Sequence, residues 1–117
     1  MYSPGRYKVD QPQEEKFNLQ PLADIDQVIH SSARLMILTY LYVSESVDYV
    51  FLQRITGLTW GSLATHLKKL EEAGYIEVEK GYQGKKPHTL IRMTAQGRDA
   101  YRIYKDKLQQ VLGSLPK

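Results

Sequence analysis

Residues 59–81, TWGSLATHLKKLEEAGYIEVEKG, carry side chains suited to contact with a polyanion. Leu63, Leu67 and Leu70 recur at i, i+4 and i+7, which places them on one side of a helix. At about 100° per residue, Gly61, Thr65, Lys68, Lys69 and Glu72 point away from that side. Ser62 lies on the flank, and Trp60 sits nearer the apolar edge. Thr59 can cap the helix start, and Gly74 is placed to end it. An ordinary solvated face would carry more Glu, Lys and Gln. Short side chains at a helix start let another molecule approach the backbone N–H groups there, which suits phosphates and base edges. Gly61 permits that approach, although glycine costs a helix about 1 kcal/mol. Ser62 and Thr65 can hydrogen-bond to phosphates or bases, and Lys68 and Lys69 can neutralise backbone charge.

A second basic group follows. YIEVEK and HTLIRM alternate as strands, with Ile76, Val78, Leu90 and Ile91 available to a core. GYQGKKP between them reads as a turn segment with Gly81, Gly84 and Pro87. The resulting β-hairpin carries Lys85 and Lys86 at its tip, where they can be simply solvated or, beside such a helix, make backbone or minor-groove contact. Arg92 at its base can reach a phosphate or pair with Glu77 or Glu79. Trp60 can meet DNA or serve as a packing anchor. His66 lies between the apolar and exposed sides. It can read a base, or it can pack under the wing or bond to backbone.

Other chemistries find no support. His30, His66 and His88 lack ligand spacing, and there is no cysteine, so neither a metal site nor a disulfide framework is expected. No nucleophile–base arrangement or paired carboxylates can be assembled, and GYQGKK is too short for a phosphate loop. The expectation is a protein that is not an enzyme and takes no cofactor.

The 117 residues fit one domain with a modest core. The net charge of +3 decides little, but its distribution is uneven. Residues 1–26 carry a net −2, whereas residues 80–107 carry a net +6, which suggests a polyanionic partner for the second half. No apolar run is long enough for a membrane span, and MYSPGRYKVD lacks a secretory core, so a cytoplasmic location is expected.

These groups need elements to position them. Residues 1–20 read as a flexible arm, and 21–117 as the domain. Leu22, Ile25, Val28 and Ile29 fall at helical spacing. SSARLMILTYLYVSES is apolar nearly all round, with Ser31 or Ser32 as its cap, so it is central to the fold or shared with a partner chain. DYVFLQRITG follows as a short helix with Val50, Phe51, Ile55 and Leu58 inward and Gly57 at its end. Thr94 caps a last helix in which Tyr101, Tyr104, Leu108 and Val111 form a short coiled-coil seam. The fold class is mainly α with a β-hairpin wing (α+β), in winged helix-turn-helix order.

In the order L-x-x-G-x-L-x-x-H-L-x-x-L-E-x-A-G-Y-I, K-x-x-x-G-x-x-P-x-T and T-x-x-G-R, the chain resembles winged-helix transcriptional regulators of the MarR/ArsR kind. The matching residues run from Leu58, Gly61, Leu63 and His66 through Gly74, Tyr75 and Ile76 to Lys80, Gly84, Pro87, Thr89, Thr94, Gly97 and Arg98. Ser62, where the group often has Asn, and the aromatic Trp60 depart from its pattern. The resemblance covers roughly residues 24–105. It implies a cytoplasmic homodimer that binds double-stranded DNA at a palindromic operator. Thr59, Trp60, Gly61, Ser62, Thr65, His66, Lys68, Lys69, Lys85, Lys86 and Arg92 are the expected DNA contacts. Leu22, Ile25 and Ile29, with Tyr101, Tyr104, Leu108 and Val111, are the expected dimer contacts through the terminal helices. A tyrosine-lined seam can also enclose a cavity for a small-molecule effector. The competing reading is a winged-helix protein-interaction module without DNA readout, which requires an apolar or acidic recognition face.

Overall fold

A computed structural model describes residues 18–116. Most of the arm expected over residues 1–20 therefore lies outside the described residues. The described residues divide into two compact units, Asp26–Ile103 and a terminal unit of residues 18–25 with 104–116.

The larger unit opens with a turn rather than a helix. Asp26 Oδ1 accepts from the N–H groups of Val28 (2.8 Å) and Ile29 (3.2 Å), so Val28 and Ile29 lie in an Asx turn where helical spacing was expected. Helix α2, Ser32–Val43, is capped by Ser31, whose hydroxyl accepts from Arg34 N–H. Its inner face buries Ile37, Leu38 and Leu41 completely, and its outer face leaves Met36 43% and Val43 78% exposed. A two-residue strand β1, Val47–Asp48, follows, with Val47 buried. Two residues are too few to show a period, so the sequence carries no readable sign of this strand.

Asp48 caps α3, Tyr49–Thr56, by accepting from Phe51 N–H, and Gly57 ends it at φ 70°. The inward residue of α3 is Leu52, fully buried, whereas Val50 and Ile55 are exposed. The expected phase of this helix is thus corrected at Val50 and Ile55: the fully buried position is Leu52, while Phe51, half-buried, packs its ring 5.6 Å from that of Tyr40 in α2. Gln53 Nε2 donates to Leu58 O (2.9 Å) and closes the turn into α4, Trp60–Glu72. Helix α4 buries Leu63, Leu67 and Leu70.

Strands β2, Ile76–Gln83, and β3, Lys86–Met93, pair from Ile76↔Met93 to Gln83↔Lys86. The expected seven-residue turn segment is mostly strand, and only Gly84 and Lys85 remain as the turn. Gly84 at φ 66° supplies the left-handed residue that a two-residue hairpin needs. β1 adds to β3 through Val47↔Ile91 and Asp48↔Leu90, giving a three-stranded antiparallel sheet in the order β1-β3-β2. Pro87 lies beyond the reach of β1, so no strand on that side needs its missing N–H. The core of this unit is Ile29, Ile37, Leu38, Leu41, Leu52, Leu63, Leu70 and Ile91.

A tight junction closes α4 against α5, Ala95–Leu112. The end of α4 is a Schellman motif, with Tyr75 N–H on Leu70 O, Gly74 N–H on Glu71 O, and Gly74 at φ 82°. Thr94 N–H donates to Tyr75 O (3.0 Å), its hydroxyl donates to Gly74 O (2.6 Å), and Gly97 N–H donates to that hydroxyl (2.9 Å). Tyr75 OH donates to Asp26 Oδ2. Burial first, then that hydrogen bond and the carboxylate charge, push the Tyr75 phenol up to about 12.

In the terminal unit, helix α1, Gln20–Ala23, has proline in its first turn, and Lys107 Nζ donates to Asp24 O (2.9 Å). Ile25, Tyr104 and Val111 are buried. Among the described residues, no helix is long and apolar enough to cross a membrane.

A Cβ on Gly97 would lie 2.1 Å from Tyr75 O, a backbone atom that cannot move aside. Gly97→Ala is therefore expected to cost about 1–3 kcal/mol of unfolding free energy. The measurement is the denaturant midpoint at constant m-value, and an unmoved midpoint would show the junction to be loose.

Candidate nucleic-acid interface

The expected contacts on α4 fall on one outward face. Thr59, Trp60, Gly61, Thr65, Lys68 and Lys69 are exposed, and Ser62 and His66 are half-buried on the flank. Thr59 Oγ1 accepts from Ser62 N–H (3.1 Å), so the cap residue also orders the first turn. The Thr65 hydroxyl donates back to Gly61 O (3.0 Å), leaving its lone pairs outward for a donor.

A Cβ on Gly61 would meet nothing within 4 Å. The fold itself gives no packing reason for a glycine here. This is the opposite of Gly97, where backbone fills the space.

Trp60 is both anchored and available. Its ring stacks on Tyr49 at 5.4 Å between centroids, while half of the residue stays exposed. Tyr49 OH also donates to Trp60 O (3.4 Å), joining the starts of α3 and α4.

Lys85 and Lys86 are exposed at the wing tip. Between α4 and the wing lies an open groove of about 330 Å³, with Lys68 on its helix side, Lys80 on its strand side, and Glu71 as its carboxylate. Arg92 pairs with Glu79 (Nη2–Oε2 3.2 Å) rather than with Glu77, its partner in register. That pair is exposed enough to exchange readily for another anion.

Among the described residues, the side-chain hydrogen-bond partner of His66 is another side chain rather than backbone. Its Nδ1 lies 3.0 Å from Arg34 Nη1, a group of α2. Burial first, then the positive charges of Arg34 and Lys69, hold its imidazole below the ordinary value. Arg34 was not among the expected contacts. Its one available signal was being the lone cation in an otherwise apolar helix.

The expected dimer residues divide by exposure. Leu22, Tyr101 and Leu108 are half-buried, whereas Ile25, Tyr104 and Val111 are nearly covered and Ile29 has no exposed surface. Tyr101 stacks on Tyr42 at 4.8 Å, and its hydroxyl lies 2.8 Å from Thr39 Oγ1. Arg98 sits 4.5 Å above the Tyr42 ring and donates to Tyr42 O, so α5 is held to the end of α2. Among the described residues, no group of His, Cys, Asp or Glu is placed to hold a metal ion.

Residues 33–112 match the winged helix DNA-binding domain family. The chain belongs to that family. It is 37% identical over 78 residues to an uncharacterized protein of Methanocaldococcus jannaschii, spanning 67% of this chain and 85% of that relative. Its fold is similar to that of a transcriptional regulator homologue from Pyrococcus horikoshii OT3, with a TM-score of 0.78 at 23% identity over 84% of this chain and 99% of the other. It is also similar to MarR from E. coli in its oxidized form, with a TM-score of 0.55 at 23% identity over 97% of this chain and 77% of the other. The structural neighbours are thus transcriptional regulators of the kind the sequence resembles.

Two stability measurements on the winged helix follow from this geometry. Gly61→Ala removes the helix penalty of glycine without creating a clash, and is expected to stabilise the free protein by about 0.5–1 kcal/mol. A destabilised variant would mean that the site is not open. For His66, the folded pKa lies below the unfolded value of 6.5, so the unfolded chain takes up the proton first. The stabilisation is complete above about pH 6.5 and is lost as pH falls through the folded value. The melting temperature of the wild type should therefore drop more on acidification than that of His66→Gln. Parallel pH slopes would remove His66 as the source.

Proposed function

We propose that this winged helix is a sequence-specific transcriptional regulator, acting as a homodimer on a palindromic operator. In this reading, α4 enters the major groove with its N-terminus leading. Trp60, Gly61, Ser62, Thr65 and His66 face base edges, while Thr59, Lys68, Lys69, Lys85, Lys86 and Arg92 hold the phosphate backbone.

The observation that carries the reading is Gly61. It sits in the first turn of an exposed helix, has ordinary helical backbone, and faces open space. A residue that costs helix stability and meets nothing within its own chain fits a position where another molecule must come close. The exposed basic wing adds the charge that a nucleic acid requires, and the exposed face of α4 around Gly61 carries Thr65, Lys68 and Lys69. This favours DNA over a protein partner.

Dimerisation through the terminal helices is part of the proposal. In the terminal unit, Lys107 of α5 holds the carbonyl at the end of α1. Half-exposed Leu22 and Leu108 are available there to a second subunit. A two-fold axis through such a seam would set half-sites about one helical turn apart. A small effector would act by favouring one dimer geometry over another. The regulator would work in the cytoplasm, where its operator lies.

The test is selection of bound DNA from a random pool by the purified chain. An inverted repeat with half-sites about 10 base pairs apart is the expected product. Retention of no DNA at any salt concentration would overturn the proposal. On the selected site, Lys85→Ala with Lys86→Ala should weaken binding to all sequences and lower the salt slope by roughly two per subunit, about four for the bound dimer. A slope equal to that of the wild type would take the wing out of the interface.

A further inference from the structure

His66 and Arg34 form a pair whose chemistry is fixed by elementary bonding rules. A guanidinium only donates hydrogen bonds. The His66 Nδ1 facing Arg34 Nη1 at 3.0 Å must therefore offer its lone pair. The ring is then neutral, and its proton sits on Nε2. Protonation of Nδ1 would break this bond and place two cations in contact, with the Lys69 charge beside them.

Arg34 is itself held. Its Nε donates to Val28 O, and its own N–H is bonded to the Ser31 cap. The guanidinium, Lys69 and Glu72 line one notch between the start of α2 and the end of α4.

The other ring nitrogen is open. No further partner of His66 exists among the described residues, and no buried side-chain nitrogen or oxygen is left unsatisfied. Nε2–H therefore reaches the surface, pointing away from Arg34. Along α4, His66 stands one turn beyond Ser62 and one before Lys69, on the flank of the exposed face.

We propose that Arg34 is a positioning residue for DNA readout: it holds His66 as a neutral imidazole whose Nε2–H donates to a base-edge acceptor in the major groove. This rests on the DNA-binding reading given above. The base edge is favoured over a phosphate by the state of the ring. A phosphate contact is best served by a cation, and Lys68 and Lys69 already supply cations on this helix. Arg34 suppresses the charged form, which leaves a directional, uncharged donor suited to a purine N7 or O6 or a thymine O4.

The experiment begins without DNA, with the imidazole nitrogens of ¹⁵N-labelled wild type read by NMR near neutral pH. The expected result is a His66 proton on Nε2. A proton on Nδ1 overturns the proposal. Next, affinities are measured on the selected operator and on unrelated DNA. Glutamine places its amide N–H near the position of Nε2, and asparagine places it near Nδ1. His66→Gln should keep the operator affinity within about threefold, and His66→Asn and His66→Ala should lose roughly three- to tenfold on the operator alone. Arg34→Met should lose a similar factor in the wild-type background and none beside His66→Ala, with thermal melts confirming that each variant is folded.

Additive losses for Arg34 and His66, or equal losses for the glutamine and asparagine variants, overturn the proposal while leaving DNA binding intact. A wild type that selects no DNA removes the parent reading and this one together. The NMR arm still reports the ring state in that case.

Discussion

The Thr94 hydroxyl ties the end of one helix to the beginning of another, and it fixes where the wing joins them. It donates to Gly74 O at the end of α4 and accepts from Gly97 N–H in the first turn of α5. The Thr94 N–H meanwhile holds Tyr75 O. β2 leaves this knot at Ile76 and β3 returns to it at Met93. The base of the wing is therefore fixed to the end of the helix that the wing must accompany. Tyr75 extends the knot by bonding to Asp26, the residue whose Asx turn leads into α2.

The two helical glycines show how differently one residue type can be used. At Gly97 the absence of a Cβ is a demand of packing, because the Tyr75 carbonyl occupies that space. At Gly61 nothing occupies it. The first glycine is required by packing, and the second, which packing does not require, sits on the exposed face of α4 where the proposed DNA contact lies. A stabilising substitution that carries a functional cost is a common signature of such sites.

Charge is distributed with similar economy. Lys68 and Lys80 flank the groove between helix and wing, and Lys85 and Lys86 extend beyond it. Arg34 stands apart from these. Held by the Val28 carbonyl at the start of α2, it acts on a neighbouring ring rather than on solvent. A cation that keeps a histidine neutral reverses the usual expectation for a histidine among lysines on a basic face.

Much of this was legible in the sequence, because local rules decide local features. Thr59, Gly57, Gly74 and Thr94 mark the helix limits through capping and left-handed backbone, and Leu63, Leu67 and Leu70 give the inward face of α4 by period alone. Exposure of Gly61, Thr65, Lys68 and Lys69 follows from that same period. Tertiary structure alone decided the rest. β1 is two residues long and exists only because β3 offers it an edge. Leu52, rather than Val50 or Ile55, is the fully buried position of α3. Asp26 shapes residues 26–29 as a turn with its own carboxylate, where helical spacing was expected. The partner of His66 lies 32 residues away on another helix, a separation that no spacing rule spans. Periodicity and capping act within a few residues of chain and can be read along it. Which side chain meets which across the core depends on how the elements pack, and only the folded molecule fixes that.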